Sequence, residues 1–255
     1  MKRSLALPLV ALAALSMSTV ANAQFGKPSK EQQVKLGLQA ASDLRSKAKV
    51  LPPYDERVKV LRRVAGKILA TFDDKGQPWQ YSFDVIDDKE VNAFSLPGGP
   101  TFFYTGLLDK LMTEDELAAV LGHELTHVRK EHWAYQYRDQ QQKGLLLDLG
   151  LILMHANRNT ADLASIGLDV LVNLPYSRKH ESEADEGGYE AMIKAGYNPE
   201  GMADVFRLLK SIPGSKPPPF LSDHPADNQR IQRIEDMIHR GGRKYKPQIP
   251  LPWSR

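Results

Sequence analysis

Apolar residues recur at helical spacing over residues 29–50 and again over 55–72, and Pro52-Pro53 separates the two runs. Ser29 and Gln32 are spaced as a capping box at the head of the first run, whose inward stripe is read as Val34, Leu38 and Ala41. From Trp79 to Tyr104 the period shortens: WQYSFDVI, VNAFSL and TFFYTG alternate aromatic and β-branched residues with polar ones, which predicts a small sheet. VNAFSLPGGPTFFYTG carries Pro97, Gly98, Gly99 and Pro100, and because proline removes a ladder donor this segment is expected at a sheet edge. Helical spacing returns at Leu117, Val120, Leu121, Leu125 and Val128 behind a second capping box, Thr113 with Glu116. Residues 144–174 form two apolar segments on either side of Asn157-Arg158-Asn159. Each is too short to span a bilayer, and Asp148 and Asp169 interrupt them, so a buried helical hairpin is predicted, with contact to lipid or a partner chain as the lesser alternative. Residues 180–195 read as a helix ended by Gly196, and another runs from Pro199 to about Leu209. A last helix with Ile231, Ile234 and Ile238 follows the loop IPGSKPPPFLSDHP. The basic, proline-rich tail from Gly241 is expected to be peripheral or mobile.

The first residues change the picture of where the chain works. Lys2 and Arg3 precede an apolar run from Leu5 to about Val20 and a small-x-small end, Ala21-Asn22-Ala23, which reads as a secretory signal cleaved after Ala23. The expected organisation is a signal peptide at 1–23, one domain at 24–240 and the tail at 241–255. The chain has a formal charge of +3, and losing Lys2 and Arg3 leaves it nearly neutral, so nucleic acid is not an expected partner. It contains no cysteine, which removes both a disulfide framework and a lipid attachment point at the cleavage site. A soluble periplasmic product stabilised by packing and metal is the expectation.

The candidate chemistry lies in GHELTHVRKEH, residues 122–132. On a helix His123 and His127 share a face about 6 Å apart, so both can turn a ring nitrogen to one ion. Glu124, one position round, can reach a water there without being a ligand, and two neutral imidazoles with a carboxylate base form a metal-hydrolysis pattern. A catalytic site needs a third protein ligand, and HESEAD at 180–185 offers one. Glu181 and Asp185 share a face there, so Glu181 can bind the ion while Asp185 accepts an N–H from a ligand histidine, whereas Glu183 is rotated about 200° away. Spacing alone equally allows a solvated acidic face; pairing with the first helix favours the ligand. His132, His155, His180 and His239 are read as surface or packing residues. The unpaired edge of the predicted sheet is a template on which an extended peptide could add as a strand, and an ordinary hairpin is the alternative.

HELTH at 123–127, YSRKHESEAD at 176–185, NAFSLPGG and TGLL within 92–108, and DHP at 223–225 together resemble the HtpX/CAAX-protease-type gluzincin zinc metallopeptidases, nearest to soluble periplasmic members of the BepA and LoiP kind, over about residues 30–240. The resemblance implies an α+β fold, a mainly helical zincin-type domain with a small sheet whose edge strand flanks the active site. It implies one zinc ion on His123, His127 and Glu181, with Glu124 as general base to a zinc-activated water, and Asn92 and Ala93 as substrate contacts. It also implies that His224 approaches the zinc as a fourth ligand or switch and that Arg230 lies near the site and could stabilise an oxyanion. Spacing alone leaves His224 equally open as a residue at the start of the last helix, with Pro225 in its first position. The implied function is endopeptidase cleavage of misfolded or unassembled envelope proteins. The alternatives kept open are a largely non-proteolytic chaperone or assembly factor for outer-membrane proteins, with a peripheral link to the membrane or assembly machinery, and a hydrolase of non-peptide bonds. The sequence is read as carrying none of the membrane helices, repeat domain or lipid-bearing cysteine found in different branches of this family, so partners and exact substrates are not expected to carry over from them.

Overall fold

A computed structural model describes residues 26–143, 175–213, 217–225, 228–242 and 244–254. The expected signal peptide and the apolar segments at 144–174, with His155, lie outside them. In chain order the elements are α1 (Lys30–Lys47), α2 (Glu56–Leu69), β1 (Ser82–Ile86), β2 (Ala93–Ser95), β3 (Pro100–Tyr104), α3 (Thr105–Leu108) and α4 (Glu114–Arg129), then α5 (His132–Gln142), α6 (Arg178–Ala195), α7 (Glu200–Ser211), α8 (Pro219–Asp223) and α9 (Asn228–Gly241). This is the expected α+β architecture, mainly helical with one small sheet. No helix among the described residues is long and apolar enough to cross a membrane. Both capping boxes form: the Ser29 and Thr113 hydroxyls accept from the backbone of Gln32 and Glu116, whose side chains reach back to the cap N–H groups.

The sheet has the order β1-β3-β2, with β1 parallel and β2 antiparallel to β3. The edge expectation therefore holds for β2 and fails for β3, which is central. Pro100 is tolerated there because it is the first residue of its strand, and its carbonyl still accepts from the Leu96 N–H at 2.7 Å. Gly98 and Gly99, at φ 83° and 129°, make the turn between the strands. That turn also explains why the stripe of α1 is misphased. Leu38 is 44 % exposed; Ala41 is buried as expected, but the residues buried with it are Gln33, Leu36, Gly37, Ala40 and Leu44. A Cβ on Gly37 would lie 1.8 Å from the Pro97 carbonyl oxygen, so α1 is docked by backbone against the hairpin turn and its rotation follows from that approach.

Helix α4 is buried from Glu114 to Val128, its apolar residues packing into one core with α2, α7 and α9. Its closest neighbour is α6. A Cβ on Gly122 would meet the Gly188 backbone at 3.0 Å, and one on Gly188 would meet the His123 nitrogen at 2.9 Å. Glycine at both crossing positions lets the helices touch backbone to backbone, which sets the reach from the side chains of α6 to those of α4.

The tail is not peripheral. Leu251 is buried, Trp253 Nε1–H donates to the Leu108 carbonyl at 2.9 Å, and Ile249 N–H donates to Asp115 at 2.7 Å while its carbonyl accepts from Glu114 N–H at 2.7 Å. Its proline-rich sequence signals an extended conformation, and an extended segment can be docked as firmly as a helix when its backbone groups find partners.

Gly188→Ala is expected to force α4 and α6 apart and cost about 1–3 kcal/mol as an overpacking change. Denaturant unfolding would measure the cost, and an unchanged midpoint would show that the crossing has slack.

Candidate metal centre

Helix α4 presents His123, Glu124 and His127; α6 presents Glu181 and Asp185; and the segment after α8 presents His224. All six are buried. Ligand atoms of His123, His127, Glu181 and His224 converge within 4.8 Å of one another. His123 Nε2 lies 3.0 Å from His127 Nε2 and 3.1 Å from His224 Nδ1. Glu181 oxygens lie 3.6 Å from His123 Nε2, 3.5 Å from His127 Nε2 and 3.0 Å from His224 Nδ1. The edges of a tetrahedron around an ion with bonds near 2.05 Å are about 3.3 Å, so this donor set matches the size of a four-coordinate zinc site. The chemistry fits too. Three imidazoles and a carboxylate are borderline ligands, and a buried cluster of this kind is satisfied by a divalent cation.

The structure brings Asp185 to His123, whose Nδ1 lies 3.1 Å from Asp185 Oδ1, as the sequence reading expected. Burial alone would raise the Asp185 and Glu181 carboxyls, but their cationic and imidazole neighbours outweigh it and hold both below the ordinary range. For Glu124 burial wins over the pull of His224 and His123, and the carboxyl is raised. Its Oε1 is buried with no hydrogen bond and has His224 Nε2 at 3.3 Å, and the Ser95 backbone also pulls the carboxyl down. Burial drives His127 well below the ordinary imidazole range and so keeps it neutral, the form in which a ring nitrogen can bind metal. Burial also opposes charge on His224, yet Glu181 and Glu124 outweigh it and raise its value to about 9.

The placements of His224, Arg230 and the edge residues add to the sequence reading. His224, which spacing left open between the metal and the last helix, caps α8, its N–H donating to the Phe220 carbonyl at 2.9 Å, and its ring lies among the converging donors. Arg230 is not free to meet an oxyanion in this arrangement. Its Nε and Nη2 bind Asp185 at 2.9 and 2.7 Å, and Nη1 bonds the Pro225 carbonyl at 2.9 Å and lies 2.6 Å from Glu181 Oε2. It is a clamp on the two carboxylates of α6, a role that a helical spacing cannot reveal because Asp185 lies 45 residues away in the chain and Glu181 still farther. Asn92 and Ala93 are both buried. By the antiparallel pattern the backbone groups of Ala93 and Ser95 point away from β3, but the Ala93 N–H is taken by Asn92 Oδ1 at 2.9 Å. At Ala93 the edge thus offers an incoming strand a carbonyl rather than an N–H.

Two residues near the histidines were missed. Tyr176 stacks on the His127 ring at 4.0 Å, and His132, read as packing, has Nδ1 only 2.9 Å from His127 Nδ1. His180 stacks on His132 at 4.5 Å and stays outside the converging donors, and His239 is exposed.

A His-x-x-x-His helix beside a three-stranded sheet, faced by a carboxylate from a second helix, defines a metallohydrolase of the zincin class. The pattern of peptidase family M48 matches residues 55–238, and the chain belongs to that family. It is a zinc metalloendopeptidase by that membership. It is 32 % identical over 225 residues to metalloprotease LoiP of Escherichia coli K12, with 84 % of each chain covered. It is 31 % identical over 192 residues to the mitochondrial metalloendopeptidase OMA1 of Schizosaccharomyces pombe, covering 74 % of this chain and 56 % of that protein. The beta-barrel assembly-enhancing protease of Escherichia coli K12 is 28 % identical over 160 residues, and the chain spans only 33 % of its length.

Arg230→Ala is expected to cost about 3–5 kcal/mol, the penalty of leaving buried carboxylates without their cation. Both carboxyls are depressed in the folded protein, so their contribution is present above the ordinary carboxylate range and is lost as the pH falls through their folded values. Urea unfolding of variant and wild type should therefore differ most at neutral pH and converge in acid; a constant difference would reject the clamp.

Proposed function

We propose that the protein is an exported zinc endopeptidase of the bacterial periplasm that degrades misfolded or unassembled envelope proteins. His123 Nε2, His127 Nε2 and Glu181 would hold one zinc ion, and the observation that carries this reading is their convergence beside the buried, unbonded Glu124 Oε1. Bound there, zinc would acidify water and polarise a scissile carbonyl. Glu124, its carboxyl raised by burial, is suited to take a proton at Oε1 from the attacking water and return it to the leaving amine. A substrate would run along β2, donating its N–H groups to the outward carbonyls of Ala93 and Ser95, with main-chain contacts giving loose sequence preference. The signal-like residues 1–23 support export, and the name of one relative, a beta-barrel assembly-enhancing protease, supports envelope proteins as substrates.

His224 supplies a fourth donor to the cluster, so the arrangement is that of a latent enzyme whose open position is filled from within. The same closure gives the second reading its support: a closed four-donor site is what a structural metal in a non-proteolytic chaperone would have.

The test is casein cleavage by the purified protein with and without a chelator. Glu124→Gln should keep stoichiometric zinc and lose about 10²–10⁴-fold in rate; a variant as fast as wild type would remove Glu124 from its role. His224→Ala should keep zinc and cleave faster. No cleavage by wild type or His224→Ala, with zinc bound in both, would favour the chaperone.

Glu181→Ala should lose zinc far more than Glu183→Ala does, since only Glu181 reaches the converging nitrogens. Elemental analysis showing equal zinc in both variants would reject Glu181 as a ligand.

A further inference from the structure

His123 and His127 are steadied differently. His123 has the buried carboxylate of Asp185 at its Nδ1, whereas the Nδ1 of His127 faces another imidazole, His132 Nδ1, at 2.9 Å. The far side of that ring, His132 Nε2, lies 3.1 Å from Glu183 Oε2. Two imidazole nitrogens at that distance can hydrogen-bond only if one carries the proton and the other does not. If His127 meets the ion through Nε2, as the proposed site requires, its proton is on Nδ1 and His132 Nδ1 must accept it. His132 is then protonated at Nε2 and donates to Glu183, so one choice fixes every proton in the chain.

The backbone shows that this contact is constructed. On a continuous helix a residue five positions after His127 would point about 140° away from it. Here α4 ends at Arg129, and Glu131 takes a left-handed conformation, φ 56°, the one positive φ at a non-glycine among the described residues. That turn starts α5 in a new direction and returns His132 to His127. Strain of this kind persists only where surrounding contacts impose it, and they do: the Glu131 carboxylate accepts from Lys27 Nζ at 2.6 Å and from Gln33 Nε2 of α1 at 2.8 Å.

We propose that His132 is a positioning residue for His127, with Glu183 orienting His132 in turn: His127 Nδ1–H donates to His132 Nδ1, and His132 Nε2–H donates to Glu183 Oε2. Metal-binding histidines generally spend their second nitrogen on a carboxylate or carbonyl, and that bond fixes the ring and raises its basicity. An intervening imidazole carries the influence of Glu183, whose side chain is 31 % exposed, to the fully buried ring of His127.

Asparagine and glutamine separate this role from packing. Asn carries an acceptor near the place of Nδ1, whereas Gln reaches the place of Nε2. Zinc affinity of the purified protein, measured by competition with a chromophoric chelator, should stay within about threefold of wild type in His132→Asn and fall about 10–100-fold in His132→Gln. In the metal-free protein, nitrogen NMR should find the His127 proton on Nδ1 in wild type and His132→Asn. Equal affinity in His132→Gln and wild type would overturn the proposal, as would His132→Asn binding as weakly as His132→Gln while both remain folded by circular dichroism. The proposal rests on His127 as a ligand, which His127→Ala tests separately: wild-type zinc affinity in that variant would dismiss the metal reading itself, whatever the His132 variants do.

Discussion

Three carboxylates, Glu124, Glu181 and Asp185, are buried within one crossing of two helices, and the rest of the structure depends on how their charge is met. A lone ion moved from water into a protein interior costs several kcal/mol even after relaxation, so such a cluster exists only where cations and donors are brought to it. Arg230 answers Asp185 and Glu181 from α9, and His224 answers Glu181 and Glu124 from the end of α8. His224 meets Glu124 of α4 and Glu181 of α6 at once, which asks for a separation below the usual 8–10 Å that side chains impose. The paired glycines, Gly122 and Gly188, remove that spacing, and the glycine crossing and the charge cluster are therefore one feature seen from two sides.

The clamp also explains why α9 belongs to the domain although its sequence is largely polar. Its apolar side is narrow, with Ile234 and Ile238 as the buried hydrophobics, and Arg230 adds a buried guanidinium over the Phe206 ring at 4.8 Å. The charged head is fixed by α6 and the ring by α7, so one residue ties three helices together. A lysine could not reproduce the two-pronged bond to Asp185.

What could be read from the chain follows the range of the interactions. Capping boxes, the helix of HELTH and the facing of Glu181 with Asp185 are settled within four residues, and each was visible as spacing. The phase of α1, the central position of β3 and the docking of the tail are settled by contacts between distant segments: Gly37 on Pro97, Ser82 beside Pro100, Ile249 on Asp115. Local pattern carries no trace of these. His132 is the instructive case. Its residue type was conspicuous, but helical periodicity pointed it away from His127, and a left-handed glutamate gives no compositional warning of the turn that brings it back.

Glu124 shows why latency, if His224 fills the fourth position, would be a property of the whole site and not of one ligand. The carboxylate has His224 Nε2 at 3.3 Å and is also under the influence of the Ser95 backbone of the edge strand. Withdrawal of His224 would therefore act on two things together: the donor set loses a member, and Glu124 loses the His224 Nε2 beside it, which leaves burial less opposed and raises its affinity for a proton. A better base would appear in the same movement that opens the position beside it. Helix α8 is suited to make that movement. It is five residues long, prolines flank it at Pro218 and Pro225, and its hold on the core comes from Phe220 and Leu221. If a substrate adds along β2 as proposed, it passes Ser95, whose backbone acts on Glu124, so the same carboxylate would face the substrate strand on one side and the departing His224 on the other.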